Sequence, residues 1–226
     1  MQAICETYKQ APQLEAQGTH VVSNDEKTGI QALERKNPTK PPRPRQDELI
    51  EFEYKRHGTL CLMANWDVAN GRVREATIGP TRTEVDFVAH IEATLDTDPD
   101  AGWVFVVDQL NTHMSDGLVR LVAERCGIDN DLGVKGRRGI LRSRHSRKKF
   151  LADTSHQIRF VYTPRHCSWL NQVEIWFSIL SRRLLKRGSF SSLDDLRSRL
   201  VAFIRYFNAV LAKPFKWTYT GRALQA

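Results

Sequence analysis

The sequence predicts an α/β fold, built as a mixed five-stranded sheet flanked by helices. Three observations point there. β-branched runs at residues 19–25, 30–33 and 58–67 come first, separated by turn residues, as in antiparallel strands. Residues 103–107 (WVFVV) are apolar at every position, which suits a central strand buried on both faces. Strand-like and helix-like segments then alternate, the pattern of a layered α/β domain.

Taken in order, residues 3–16 place Ile4, Tyr8, Ala11 and Leu14 at helical spacings, and Gly18 ends that helix. Residues 1–18 are thus an N-terminal linker or helix, and 19–226 form the main domain. Thr28-Gly29 reads as a turn that makes 19–25 and 30–33 a hairpin. Residues 36–45 hold four prolines and four basic residues, an extended surface loop, because proline lacks the donor that a sheet ladder needs. Residues 58–67 are a third strand, extended by 73–78. Residues 81–95 are helical, with Thr83 as cap and Val85, Val88, Ile91 and Leu95 as an apolar stripe. After the 103–107 strand, 115–126 is a helix with Leu118, Leu121 and Val122 inward, capped by Asn111 or Thr112. Residues 128–153 form a polar basic insertion, 158–162 the last strand, and 169–185 and 192–211 two long helices. The order β-β-β-α-β-α-(basic insertion)-β-α-α is that of the ribonuclease-H-like arrangement, whose crossovers set strand 103–107 parallel to the first strand.

Composition narrows the function. The 226 residues carry 34 Lys+Arg against 26 Asp+Glu, a net charge of +8. The longest apolar run, 101–107, is far short of the roughly 20 residues that span a bilayer, so no membrane partner is expected. The cysteines at 5, 61, 126 and 167 have no metal-finger spacing and read as free thiols. Positive charge concentrates in one place: Lys135, Arg137, Arg138, Arg142, Arg144, Arg147, Lys148 and Lys149 lie together with no acid among them. Unopposed like charges repel unless phosphates neutralise them, which points to a DNA backbone. Arg182, Arg183, Lys186 and Arg187 extend that surface, although cations also suit a helix C-terminus.

Three acids stand out by place. Asp25 ends the first strand, Asp108 ends the buried strand, and Glu174 sits in helix 169–185 beside the apolar stripe Leu170, Val173, Phe177, Leu180 and Leu184. If the two strands are parallel neighbours, their ends lie roughly 5 Å apart. Open α/β sheets place sites at such ends. Carboxylates forced together repel, and a hard divalent cation removes the conflict. Two such ions can activate an attacking oxygen and stabilise the leaving oxygen of a phosphodiester.

Residues 25–33 (DEKTGIQAL), 108–113 (DQLNTH) and 163–177 (TPRHCSWLNQVEIWF) resemble the three signature blocks of DDE-type insertion-sequence transposases. The likeness is to the bacterial branch related to the mariner elements, the insertion-sequence family numbered six hundred and thirty. Residues 79–87 (GPTRTEVDF), 186–190 (KRGSF) and 212–219 (AKPFKWTY) support it. The resemblance implies a Mg²⁺-dependent DNA-cutting and strand-transfer domain, with Mn²⁺ as a substitute and two ions held by Asp25, Asp108 and Glu174. It implies double-stranded DNA, both element ends and target, as partner, a homodimer or larger assembly on that DNA, and a place on the nucleoid in the bacterial cytoplasm. The 66-residue spacing from Asp108 to Glu174 is longer than in the mariner relatives, and the basic insertion 128–153 accounts for it. Only 18 residues precede the first strand, so the likeness is to the catalytic part, with end recognition expected from a separate helix-turn-helix domain. Two other readings stay open: a non-catalytic DNA-binding remnant of a truncated transposase, and another nuclease on the same fold.

Further DNA contacts are expected from Asn111 and His113, which follow Asp108 closely, and from Trp169 and Asn171 near Glu174. Asn111 and His113 either contact a scissile phosphate or orient a water. Trp169 is open to base stacking, while Trp176 and Phe177 read as core. Lys213, Lys216 and Arg222 add only basicity.

Overall fold

The computed structural model describes residues 1–37, 40, 42–47, 51 and 53–221. Part of the proline-rich loop and Arg222 lie outside them. The elements are α1 (Gln2–Ala16), β1 (Thr19–Arg35), β2 (Tyr54–Asp67), β3 (Arg72–Gly79), α2 (Glu84–Leu95), β4 (Gly102–Val107), α3 (Asp116–Arg125), α4 (Arg144–Leu151), β5 (Ile158–Tyr162), α5 (Val173–Leu180) and α6 (Leu193–Tyr206). The five strands form one sheet in the order β3-β2-β1-β4-β5. β1, β2 and β3 are antiparallel, whereas β4 runs parallel to both β1 and β5.

The sheet separates two apolar cores. On one face Val21, Leu62, Trp66, Val104 and Val106 meet α1, α5 and α6 through Ile4, Tyr8, Val173, Trp176, Phe177 and Leu196. On the other, Val22, Met63, Trp103, Phe105 and Phe160 meet α2, α3 and α4 through Phe87, Ile91, Leu118, Val122 and Leu151. The period-2 alternation of a strand makes this possible: odd and even positions of β1 and β4 feed opposite cores.

Several expectations change. Residues 19–25 and 30–33 are one strand and not a hairpin. Lys27 pairs with Leu62 and Ile30 with Leu60, so one extra residue of β1 is accommodated. Gly29, at φ 64°, takes the left-handed conformation of a bulge, and pairing with β2 continues past it. Asp25 therefore lies within a strand and not at its end. Residues 73–78 belong to a strand of their own, β3. In α2 the capping box is formed by Thr83 and Asp86, as the cap predicts, but Val85 is 76% exposed and Phe87 takes the core position. Ser115, not Asn111 or Thr112, caps α3 by accepting a hydrogen bond from the Leu118 N–H. The insertion is not a plain loop, because it contains α4, capped by Ser143. Helix 169–185 is broken: a 3₁₀ turn at Ser168–Leu170 precedes α5, and a π turn at Ser181–Leu185 follows it. Residues 192–211 give α6, capped by Ser192, with a π turn at its end.

Candidate active site

The parallel pairing of β1 and β4 runs from Thr19↔Gly102 to Ser23↔Val106, a constant offset of 83. Asp25 and Asp108 have the same offset. They share that offset two residues beyond the last pair, with Asp25 on the face of β1 that carries Val21. That is the face covered by α5, which carries Glu174 in its first turn.

A set of buried hydrogen bonds fastens the start of α5 to β1. The Ser23 hydroxyl donates to Asn171 Oδ1 and accepts from the Val173 N–H at 3.0 Å. Asn171 Nδ2 donates to the Asn24 carbonyl at 2.6 Å and to Asp25 Oδ2 at 3.2 Å. The Tyr8 hydroxyl donates to the Leu170 carbonyl at 3.0 Å and accepts from the Gln172 N–H at 3.3 Å. These ties hold Asn171 in extended backbone, which explains why the helix begins two residues later. They also bring Glu174 to Asp25. The Glu174 side chain is exposed and, among the described residues, has no hydrogen-bond or ion-pair partner.

Asp25 is buried, and its Oδ1 accepts the Glu26 N–H at 2.8 Å. Burial, and then the negative charges of Asp108, Glu174 and Glu26, push its carboxyl up to about 7. The three acids thus feel one another through space. Asp108 is held differently. Its Oδ1 accepts from the Leu110 N–H at 2.8 Å and from His113 Nδ1 at 2.7 Å. Partial burial pushes this carboxyl up, but the His113 bond and charge outweigh burial and hold it below the ordinary carboxylate range.

His113 is fully buried against Phe87, with ring centres 4.2 Å apart, and its Nε2 donates to Glu26 Oε1 at 3.1 Å. Burial opposes its charge, yet the two carboxylates raise it to about 9. It is an imidazolium clamped between Glu26 and Asp108 at neutral pH. A buried ring with both nitrogens engaged is not a DNA contact, so that expectation for His113 is corrected. Asn171, also fully buried, is corrected for the same reason and positions Asp25 instead. Asn111 and Trp169 remain exposed, the latter edge-on to Tyr219. Arg182 and Arg183 are exposed beside a groove of about 540 Å³ lined by Phe207, Leu211 and Phe215.

The basic insertion divides into two groups. Lys135 pairs with Asp116, and Arg138 with Asp131. Arg144 donates to the Gln109 carbonyl, and Arg147 to the Met114 carbonyl at 2.6 Å and the Leu141 carbonyl at 3.1 Å. Lys148 lies over the Tyr162 ring, whose hydroxyl donates to the His113 carbonyl at 2.9 Å. Arg144, Arg147 and, through Tyr162, Lys148 brace the 108–114 turn that carries Asp108 and His113. The side chains of Arg137, Arg142 and Lys149 are exposed and, among the described residues, have no hydrogen-bond or ion-pair partner. Arg147→Ala should therefore destabilise the protein by about 1.5–3 kcal/mol, the scale of a charged hydrogen bond. Arg142→Ala should leave stability within about 0.5 kcal/mol and flatten the salt dependence of DNA binding. Urea unfolding beside salt-dependent DNA titration checks both; equal stability of the two variants would refute the division.

All three acids consist of hard carboxylate oxygens, the donor type that Mg²⁺ and Mn²⁺ prefer. Burial and the neighbouring negative charges raise Asp25, and a cation offsets the charges. Among the described residues, no three His, Cys, Asp or Glu side chains stand close enough to hold an ion as placed. Closure would fall to Glu174, the exposed and unpartnered member of the set. Also among the described residues, no helix is long and apolar enough to cross a membrane.

Comparisons with known proteins give the family and the fold. The family described as DDE superfamily endonuclease matches residues 20–197. No curated protein matches. Among solved structures, the Mos1 transposase paired-end complex with left transposon end superposes with a TM-score of 0.52 at 12% identity, over 90% of this chain and 53% of that one. The Mos1 mariner paired end complex with Mn gives 0.53 at 11%, over 91% and 54%. The chain spans about half the length of those transposase chains, and its sheet and helices have their ribonuclease-H-like fold. The chain belongs to the DDE superfamily endonucleases.

Proposed function

We propose that the chain is the catalytic domain of a transposase of the bacterial branch related to mariner, the insertion-sequence family numbered six hundred and thirty. It cuts DNA strands and joins the freed 3′-hydroxyl to target DNA. One observation carries the reading: the shared offset of 83 that sets Asp25 beside Asp108, under the helix that carries Glu174. Asp25, Asp108 and Glu174 would hold two Mg²⁺ ions, or Mn²⁺ in their place. When bound, these ions supply activation of the attacking oxygen and stabilisation of the leaving one. The chain's own residues do the positioning. Asn171 and the Glu26 N–H orient Asp25, His113 and the Leu110 N–H orient Asp108, and the start of α5 delivers Glu174. Double-stranded DNA, as element ends and as target, is the partner, and a homodimer or larger assembly the working form, on the bacterial nucleoid. Arg142, Lys149, Arg182 and Arg183 supply sequence-independent backbone contacts.

Supercoiled plasmid incubated with the purified chain tests the reading. Nicking in Mg²⁺ or Mn²⁺, absent in chelator, supports it. DNA binding without nicking in either metal would favour the non-catalytic remnant.

A further inference from the structure

A second pocket, of about 280 Å³, adjoins the carboxylates and is lined by Glu26, Arg82, Leu110, Asn111 and Thr112. Glu26 follows Asp25 on β1 and so faces the opposite side of the sheet, toward His113 and Phe87. Arg82 stands on the connection from β3 to α2, next to Thr83, whose capping box with Asp86 holds that connection in place.

The charges here are unevenly matched. Glu26 is bound by His113, and His113 by Asp108. Arg82 is exposed and, among the described residues, its side chain has no hydrogen-bond or ion-pair partner. Two buried lining atoms, Glu26 Oε2 and Thr112 Oγ1, have no hydrogen-bond partner, and Asn111 is exposed beside them. The pocket thus combines a free guanidinium, an amide and a hydroxyl at the rim of an acidic cluster.

We propose that this pocket is a phosphodiester subsite for the DNA strand held at the carboxylates, with Arg82 as its anchor and Asn111 and Thr112 as neutral partners. The inference rests on the DNA-cutting reading and adds a residue to it. A strand drawn past Asp25, Asp108 and Glu174 brings its flanking phosphates toward acids, and each such approach is repulsive unless a cation faces the phosphate. Arg82 is that cation. Its planar fork matches two phosphate oxygens at once, which a lysine ammonium cannot do. Such a contact fixes where the strand sits and carries no base preference.

Anisotropy of a labelled duplex, in chelator and between about 50 and 200 mM salt, tests this. Arg82→Ala should bind about tenfold more weakly, as for loss of one charged hydrogen-bonded contact. The slope of log affinity against log salt should fall by about 0.9, one phosphate. Arg82→Lys should keep the slope and lose part of the affinity. Arg120→Ala, which removes an exposed cation on α3, is the control for general charge loss. Thermal midpoints of the Arg82 variants should match wild type, because the side chain has no partner to lose. A slope unchanged in Arg82→Ala, or reduced equally in Arg120→Ala, would overturn the subsite while leaving the DNA-cutting reading intact. A wild-type chain that binds no DNA would overturn both.

Discussion

His113→Ala should destabilise the protein by about 3–5 kcal/mol, the usual effect of removing one partner from a buried ion pair. The substitution leaves Glu26, whose side chain is 2% exposed, with an uncompensated charge, and it opens a space against Phe87. It also removes the bond that fixes Asp108 Oδ1. For a chain of this length each kcal/mol moves the thermal midpoint by about 2–4 °C, so the loss is easily read. The effect has a pH signature. His113 is raised from 6.5 to about 9, so its contribution is complete below the unfolded value and is lost as pH rises through about 9. Wild type and variant should therefore differ most near pH 6 and converge toward pH 10. Urea unfolding across that range checks it; a difference constant with pH would show that only packing was lost.

The second large effect is on activity. Glu174→Gln should reduce metal-dependent plasmid nicking by at least about 100-fold, since even outer partners of metal ligands carry 10–100-fold effects. Its fold should be untouched, because Glu174 is exposed and has no hydrogen bond to lose. That separates it from Asp108→Asn, which removes the same activity but also weakens the His113 clamp. Nicking that survives in Glu174→Gln, with Asp108→Asn inactive, would restrict the metal site to the two strand acids.

Much of this arrangement was legible in the residues. The run at 103–107 announces a central strand, and the ribonuclease-H-like order of elements sets it beside β1. The offset that brings Asp25 level with Asp108 belongs to the strand pairing and has no local signal. The apolar periodicity of 169–185 persists through Leu170 and so predicts one continuous helix. The break arises from Asn171, whose amide finds partners on a strand about 150 positions earlier, and no local pattern signals that. The β1 bulge was hidden for a related reason: Thr-Gly suits a turn and a bulge equally, and only pairing with β2 decides. Charge density in the insertion does not by itself tell a brace from a DNA contact. Arg144 and Arg147 look like DNA ligands by composition, yet they reach backbone carbonyls of the 108–114 turn. Glu26 and Arg82 were passed over because each stands beside a more conspicuous residue or motif, and their roles depend on the facing strand and loop.

The central claim is that Asp25, Asp108 and Glu174 together bind a divalent cation. Titration of Mn²⁺ into the protein, with free Mn²⁺ read by electron paramagnetic resonance, tests it most directly. Asp25 sits at about 7, so in metal-free protein it favours the folded state at low pH and that contribution is lost as pH rises through 7. Cation binding needs the ionised form, so affinity should rise over the same window. Mn²⁺ uptake is expected at pH 8, weakened at least tenfold by about pH 5.5 and lost in Glu174→Gln and Asp25→Asn. Uptake that is independent of pH across that window, and equal in wild type and both variants, would contradict it.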